Sequence, residues 1–111
     1  MKKQQMIKKI YEVVSNSGLT SHKFSDDDWR MIWEVRDTIN RYFFHANETI
    51  SCYFSGVAGY INDEQAKEYE MTVENSITGE LLGRGIITAC AAGTVDDIWS
   101  SYDICISFWA E

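Results

Sequence analysis

Nucleophilic or zinc chemistry in this 111-residue chain would have to be built from Cys52, Cys90, Cys105, His22 and His45. A nucleophilic site needs a nucleophile, a base and an orienting group brought together. His45 lies shortly before Cys52, but Cys52 falls on a strand face shared with Ile50 and Phe54. In that setting a cysteine packs as a small hydrophobe. Cys90 and Cys105 fall on separate apolar segments that can pair as strands, and they read as reduced packing residues. No pair of cysteines is spaced C-x-x-C, and an odd count is no disulfide framework. These residues give no catalytic assignment, no cofactor and no metal ligand set.

The carboxylates are more numerous. Asp26, Asp27 and Asp28 are consecutive, and on a helix they splay in different directions, which makes a poor metal cage. They read instead as charge at a helix N-terminus, where the dipole favours it. Asp96 and Asp97 form a lone pair. The "GRG" at 83–85 lacks the longer glycine pattern and the lysine of a phosphate loop, and "GVAG" at 56–59 reads as a bulge or bend. Glu68, Glu70 and Glu74 alternate with apolar residues. They therefore share the solvent side of a strand, with i, i+2 neighbours about 7 Å apart. Asp63, Glu64 and Glu80 extend that acidic surface at the ends of the hairpin. Strand alternation sends Tyr53 and Trp109 outward, and Trp99 falls in a loop. Exposed Trp and Tyr are favoured anchors at protein interfaces.

The elements that position these residues follow from periodicity. Residues 3–16 repeat apolar side chains at helical spacing, with Met6, Ile10 and Val13 on one stripe and Ile7, Tyr11 and Val14 beside it. Gly18 supplies a left-handed stop. "FSDDDW" places Ser25 as N-cap, Asp28 at the third helical position, and Phe24 and Trp29 as a hydrophobic staple. That second helix runs through Ile32, Trp33, Arg36, Ile39 and Phe43 and ends near His45-Ala46-Asn47.

After Asn47 the period becomes 2. Ile50, Cys52 and Phe54 alternate with Ser51, Tyr53 and Ser55; Tyr69, Met71 and Val73 alternate with Glu68, Glu70, Thr72 and Glu74. "SITGE" is a turn with Gly79 at positive φ. "ELLGRGIITACAA" is nearly apolar throughout and reads as a central strand covered on both faces. Gly83 and Gly85 share a face with Leu81 and Ile87, and small residues there let a helix lie close. "GTVDDIWSS" is a connecting loop with Thr94 as a potential cap. In "YDICISFWAE" Tyr102, Ile104, Ile106 and Phe108 point one way, and Asp103, Cys105, Ser107, Trp109 and Glu111 the other. A strand this apolar must be paired and must face the core.

The fold expected is α+β: two N-terminal helices on one face of an antiparallel sheet of four, or at most five, strands. Length makes residues 1–111 one domain. A hydrophobic content of 45% and an aromatic content of 14% suit a packed globule.

Net charge is −7 and unevenly spread. Five lysines against Glu12 give residues 1–23 a charge of +4, so the remainder carries −11. An acidic body disfavours direct nucleic-acid binding and favours a basic partner. Lys8 and Lys9 interrupt any signal-peptide core, and no run is long enough for a membrane span, so a cytoplasmic, reduced protein is expected.

The leading expectation is a non-enzymatic protein-binding module that presents Glu68, Glu70, Glu74, Tyr53, Trp99 and Trp109 to a basic partner. In its most concrete form it is an inhibitor that occupies the groove of a nucleic-acid-binding protein, by analogy of size and charge with small phage-encoded anti-defence proteins of the anti-CRISPR kind. One alternative is a small-ligand binder or modest enzyme with a pocket between Trp29, Trp33, Tyr53 and Phe54. Another is a self-associating subunit, such as a homodimer, that uses the terminal strand or the basic first helix.

Overall fold

The structure, a computed structural model, describes residues 2–18, 28–61, 66–91 and 102–111. Its elements are helices α1 (Lys3–Asn16) and α2 (Asp28–His45), then strands β1 (Ile50–Ile61), β2 (Ala66–Asn75), β3 (Leu81–Ala91) and β4 (Tyr102–Ala110). The strands form one antiparallel sheet in the order β1-β2-β3-β4. Both helices pack on one face of it, α2 mainly against β1 and α1 mainly against β4. The expected α+β architecture is the one observed, with four strands.

α1 begins at Lys2, whose N–H donates to the Gln5 side chain, one half of a capping box. It stops where Gly18 takes φ +76. Its buried stripe is Met6, Ile7, Ile10 and Val14, so the axis of the apolar face passes through Val14, with Val13 at its half-buried margin.

α2 buries Ile32, Val35, Ile39 and Phe43 at helical spacing. Glu48 N–H donates to the Phe43 carbonyl and Asn47 N–H to that of Phe44. Asn47 sits at φ 59, so asparagine supplies the left-handed residue of a Schellman end. The Ser25 cap, the Phe24–Trp29 staple and the loop containing Thr94 and Trp99 lie outside the described residues or side chains.

The inner face of the sheet carries Cys52, Tyr69, Met71, Val73, Ile87 and Phe108, all buried with the helix stripes in one core. A Cβ on Gly83 would stand 2.7 Å from the Trp109 carbonyl oxygen and 3.3 Å from Met6 and Ile7, and one on Gly85 would stand 2.3 Å from the Phe108 ring. The glycines therefore admit the β4 backbone and α1 at one position and seat an aromatic ring at the other. β1 shifts register between Phe54 and Gly56 and again between Val57 and Gly59, so the GVAG stretch does mark bulges.

Two expectations for β3 need correction. A register shift at Leu81 (Gly83 pairs with Val73, then Leu81 with Glu74) turns Leu82 toward the core. Nor do the described residues cover β3 on both faces: the helices occupy only one, and Arg84 on the other is exposed. The apolar run reflects Ile86 and Thr88 lying half-buried in the open face.

Candidate interaction face of the sheet

Strand pairing brings most of the expected binding residues together. Tyr53 pairs with Thr72, Thr72 with Arg84, and Arg84 with Trp109. These four residues form one row across the face that the described residues leave uncovered, with Tyr53 and Trp109 at its ends, about 14 Å apart by strand spacing. Each of these two aromatics is 39% exposed. Thr72, between the larger side chains, is only 7% exposed. Glu68, Glu70 and Glu74 alternate with the buried Tyr69, Met71 and Val73 and so share this face. Trp99, Asp63 and Glu64 lie outside the described residues.

The acidic row is uneven. Glu68 and Glu70 are i, i+2 neighbours, while Thr72 separates Glu70 from Glu74. Glu74 accepts a hydrogen bond from the Tyr53 hydroxyl at 3.2 Å. Glu68 and Glu70 have no ion-pair partner among the described residues.

Arg84 and Ile86 belong to the face and were not singled out in the sequence, whereas Glu111 follows from the alternation that places Trp109 there. Glu111 accepts from the Trp109 indole N–H at 3.0 Å and stands 3.5 Å from Arg84 Nε. One carboxylate thus fixes the Trp109 ring and offsets the one arginine among the described residues of this face. The alternation of β3 could have placed Arg84 here, but its glycine neighbours drew attention to turns and phosphate loops. Between Glu70 on β2 and Trp109 on β4 lies a depression of 160 Å³, with Ser55, Arg84 and Ile86 also lining it.

Of the residues expected to line a ligand pocket, the Trp29 side chain lies outside those described, and Tyr53 does not meet Trp33 and Phe54. Tyr53 faces away from the helices, while Trp33 on α2 is half-exposed. The Arg36 guanidinium stands 5.8 Å from the Trp33 ring and 5.5 Å from the Phe54 ring, bridging the two. A larger, shallower groove of 340 Å³ runs between the helices past Lys9, Glu12, Thr38 and Tyr42. Its charges satisfy each other: Lys9 and Glu12 pair at 2.9 Å, which raises the Lys9 pKa and lowers that of Glu12.

Cys52 is 1% exposed, and burial pushes its thiol pKa up to about 12 despite the nearby Arg36. It therefore carries no thiolate at neutral pH, and His45 is exposed beside Phe44. Cys105 is exposed, pairs with Thr88, and is offset by two residues from the Cys90–Asp103 pair. Among the described residues no three His, Cys, Asp or Glu side chains form a group able to hold a metal, and no described helix is long and apolar enough to cross a membrane.

The two edges of the sheet are partly closed by helix side chains. The Asn40 amide donates to the Cys52 carbonyl at 2.9 Å and accepts from the Cys52 N–H at 2.7 Å. On the other edge Phe108 N–H donates to the Tyr11 hydroxyl at 2.9 Å. Backbone groups that could template another strand are thus occupied at one position on β1 and one on β4.

No protein family, curated protein or solved structure matches the chain.

Proposed function

We propose that this chain is a non-enzymatic protein-binding module that docks a basic partner on the uncovered face of its sheet. The observation that carries the reading is the placement of Tyr53 and Trp109, Glu68 and Glu70 on one face. The aromatics are partly exposed and the two carboxylates lack ion-pair partners among the described residues. Aromatic anchors supply contact area at little entropic cost, and carboxylates supply steering and selectivity toward positive charge. In its concrete form the partner is a cytoplasmic nucleic-acid-binding protein whose basic groove this face occupies. Direct contact with nucleic acid or membrane has no support in the charge balance.

The test is capture from a host lysate at low and high salt, with the parent chain and the Glu68→Gln, Glu70→Gln, Glu74→Gln triple variant. The reading expects a basic protein retained by the parent at low salt, released at high salt and lost from the triple variant. For the concrete form, added nucleic acid should compete with the chain. Equal capture by the triple variant at every ionic strength removes the face from the interface.

A further inference from the structure

We infer that the depression between Glu70 and Trp109 is a socket for one arginine side chain of the basic partner. The inference rests on the reading proposed above and narrows it to one chemistry.

Size comes first. At 160 Å³ the depression has room for several waters at about 30 Å³ each. It falls short of the roughly 300–1,000 Å³ of small-molecule sites. Its lining reaches from Ser55 on β1 to Trp109 on β4, three strand spacings or about 14 Å, which gives one long side chain room to lie along it.

The lining then selects the chain. Ile86 and the Trp109 ring are apolar surfaces on which a methylene stem can lie. The Glu70 carboxylate is exposed and has no ion-pair partner among the described residues. Trp109 is fixed through its indole N–H by Glu111, which leaves its ring face available. Among the described residues the cations placed over rings are Lys9 and Arg36, both on the helices. Arg84 would oppose an incoming cation, but its guanidinium stands beside Glu111, 3.5 Å away. The carboxylate that remains to be neutralised is that of Glu70. Arginine fits better than lysine because its planar fork matches a carboxylate bidentately, stacks on an indole, and is less strongly hydrated.

The test uses the full chain labelled with nitrogen-15 and titrated with nona-arginine or nona-lysine, following the Trp109 indole N–H. The arginine peptide should move that resonance and bind more tightly than the lysine peptide. Glu70→Gln should weaken arginine binding about three- to fivefold, the size of an exposed charge pair. Trp109→Leu, followed through the backbone amides of Glu70 and Ile86, should weaken it comparably. Glu74→Gln removes a carboxylate already bonded to Tyr53 and should change it less than about twofold.

Several results overturn the socket: an unmoved Trp109 resonance, equal loss from Glu70→Gln and Glu74→Gln, or lysine binding as tightly as arginine. If the triple glutamine variant nevertheless abolishes partner capture, the face reading stands and only the socket falls. If capture is also indifferent to the triple variant, both fall.

Discussion

Along β3, Gly83, Gly85 and Ile87 turn toward the helices, while Arg84, Ile86 and Thr88 turn away. The same alternation on the other strands gives one sheet two unlike surfaces. Inward, the described side chains are buried at the centre and half-buried at the margins: Val73 and Ile87 are at 0% and Phe108 at 5%, while Ile50, Phe54, Leu82 and Ile106 are partly buried. Polar groups that reach this side are bonded, as Asn40 is to Cys52 and Tyr11 to Phe108. Outward, partly exposed aromatics stand among carboxylates, two of which have no ion-pair partner among the described residues. Apolar burial is the main source of folding free energy, so stability belongs to the inner face. The outer face is free to vary with function. Substitutions should divide the same way.

The largest break in that contrast is loss of β4. Deleting residues 102–111 removes Phe108, Ile106 and Ala110 from the core and uncovers the far edge of β3. Burial of Phe108 alone contributes roughly 1.5–3 kcal/mol, the half-buried Ile106 adds less, and the whole β3–β4 pairing is lost with them, against a small domain's stability of about 5–15 kcal/mol. The truncated chain should show no cooperative thermal transition by circular dichroism. A sharp melt would mean that β4 is an appendage.

Next comes an alkaline effect confined to the inner face. Cys52 is pushed from an ordinary 9.0 up to about 12 by burial. Above pH 9 the unfolded thiol gives up its proton while the folded one keeps it. The folded state then binds more protons, and stability falls as pH rises. The contribution is fully present below pH 9 and lost progressively toward pH 12, about 4 kcal/mol in total. Urea melts of the parent and Cys52→Ala across pH 8–11 should show the parent falling more steeply. Parallel slopes would mean that the thiol is not sealed from solvent.

Gly85→Ala comes third. Its Cβ would lie 2.3 Å from the Phe108 ring, so the ring must move, at about 1–3 kcal/mol for overpacking. Chemical denaturation should show this loss for Gly85→Ala and almost none for Ser107→Ala, which lies on the open face of β4. Equal stability of the two variants would remove the close seat of Phe108 from the account.

Asn40→Ala should cost about 1–2 kcal/mol, because it strips both partners from the Cys52 N–H and C=O. Hydrogen exchange at the Cys52 amide should quicken with it. An unchanged exchange rate would mean that water serves that edge as well as the amide does.

These inner-face features differed in how far the sequence betrayed them. Strand faces were legible because a period of 2 allows only two arrangements, and Tyr69, Met71 and Val73 could not point to water. Gly83 and Gly85 could be assigned to the helix side for the same reason. Asn40 and Tyr11 could not be read as edge partners: each sits on the flank of a helical stripe, and its role depends on how the helix lies over the sheet. On the open face, the aromatics and glutamates followed from alternation alone. Their assembly into one row depended on register, which β1 adjusts through two bulges. Glu111 shared the outward face of Trp109 by alternation, but its pairing with Arg84 could not be read because it depends on β4 lying beside β3.

The smallest stability effect expected is the one that sharpens the contrast most. Glu68, Glu70 and Glu74 replaced together by glutamine should change unfolding free energy by no more than about 0.5 kcal/mol, as for surface substitutions away from special features. Among the described residues only Glu74 has a side-chain hydrogen bond to weaken, the exposed one it accepts from Tyr53. Relief of repulsion between Glu68 and Glu70 works in the opposite direction. Trp109→Ala should cost more, about 1 kcal/mol, since its ring is only partly exposed and its N–H bond to Glu111 is lost. Both variants should keep a cooperative melt. Their deficit should appear in partner capture, and for the glutamine variant the salt dependence of binding should flatten. A glutamine variant that melts many degrees early would show that these carboxylates hold the sheet together, and the division between a structural and a binding face would fail at its simplest point.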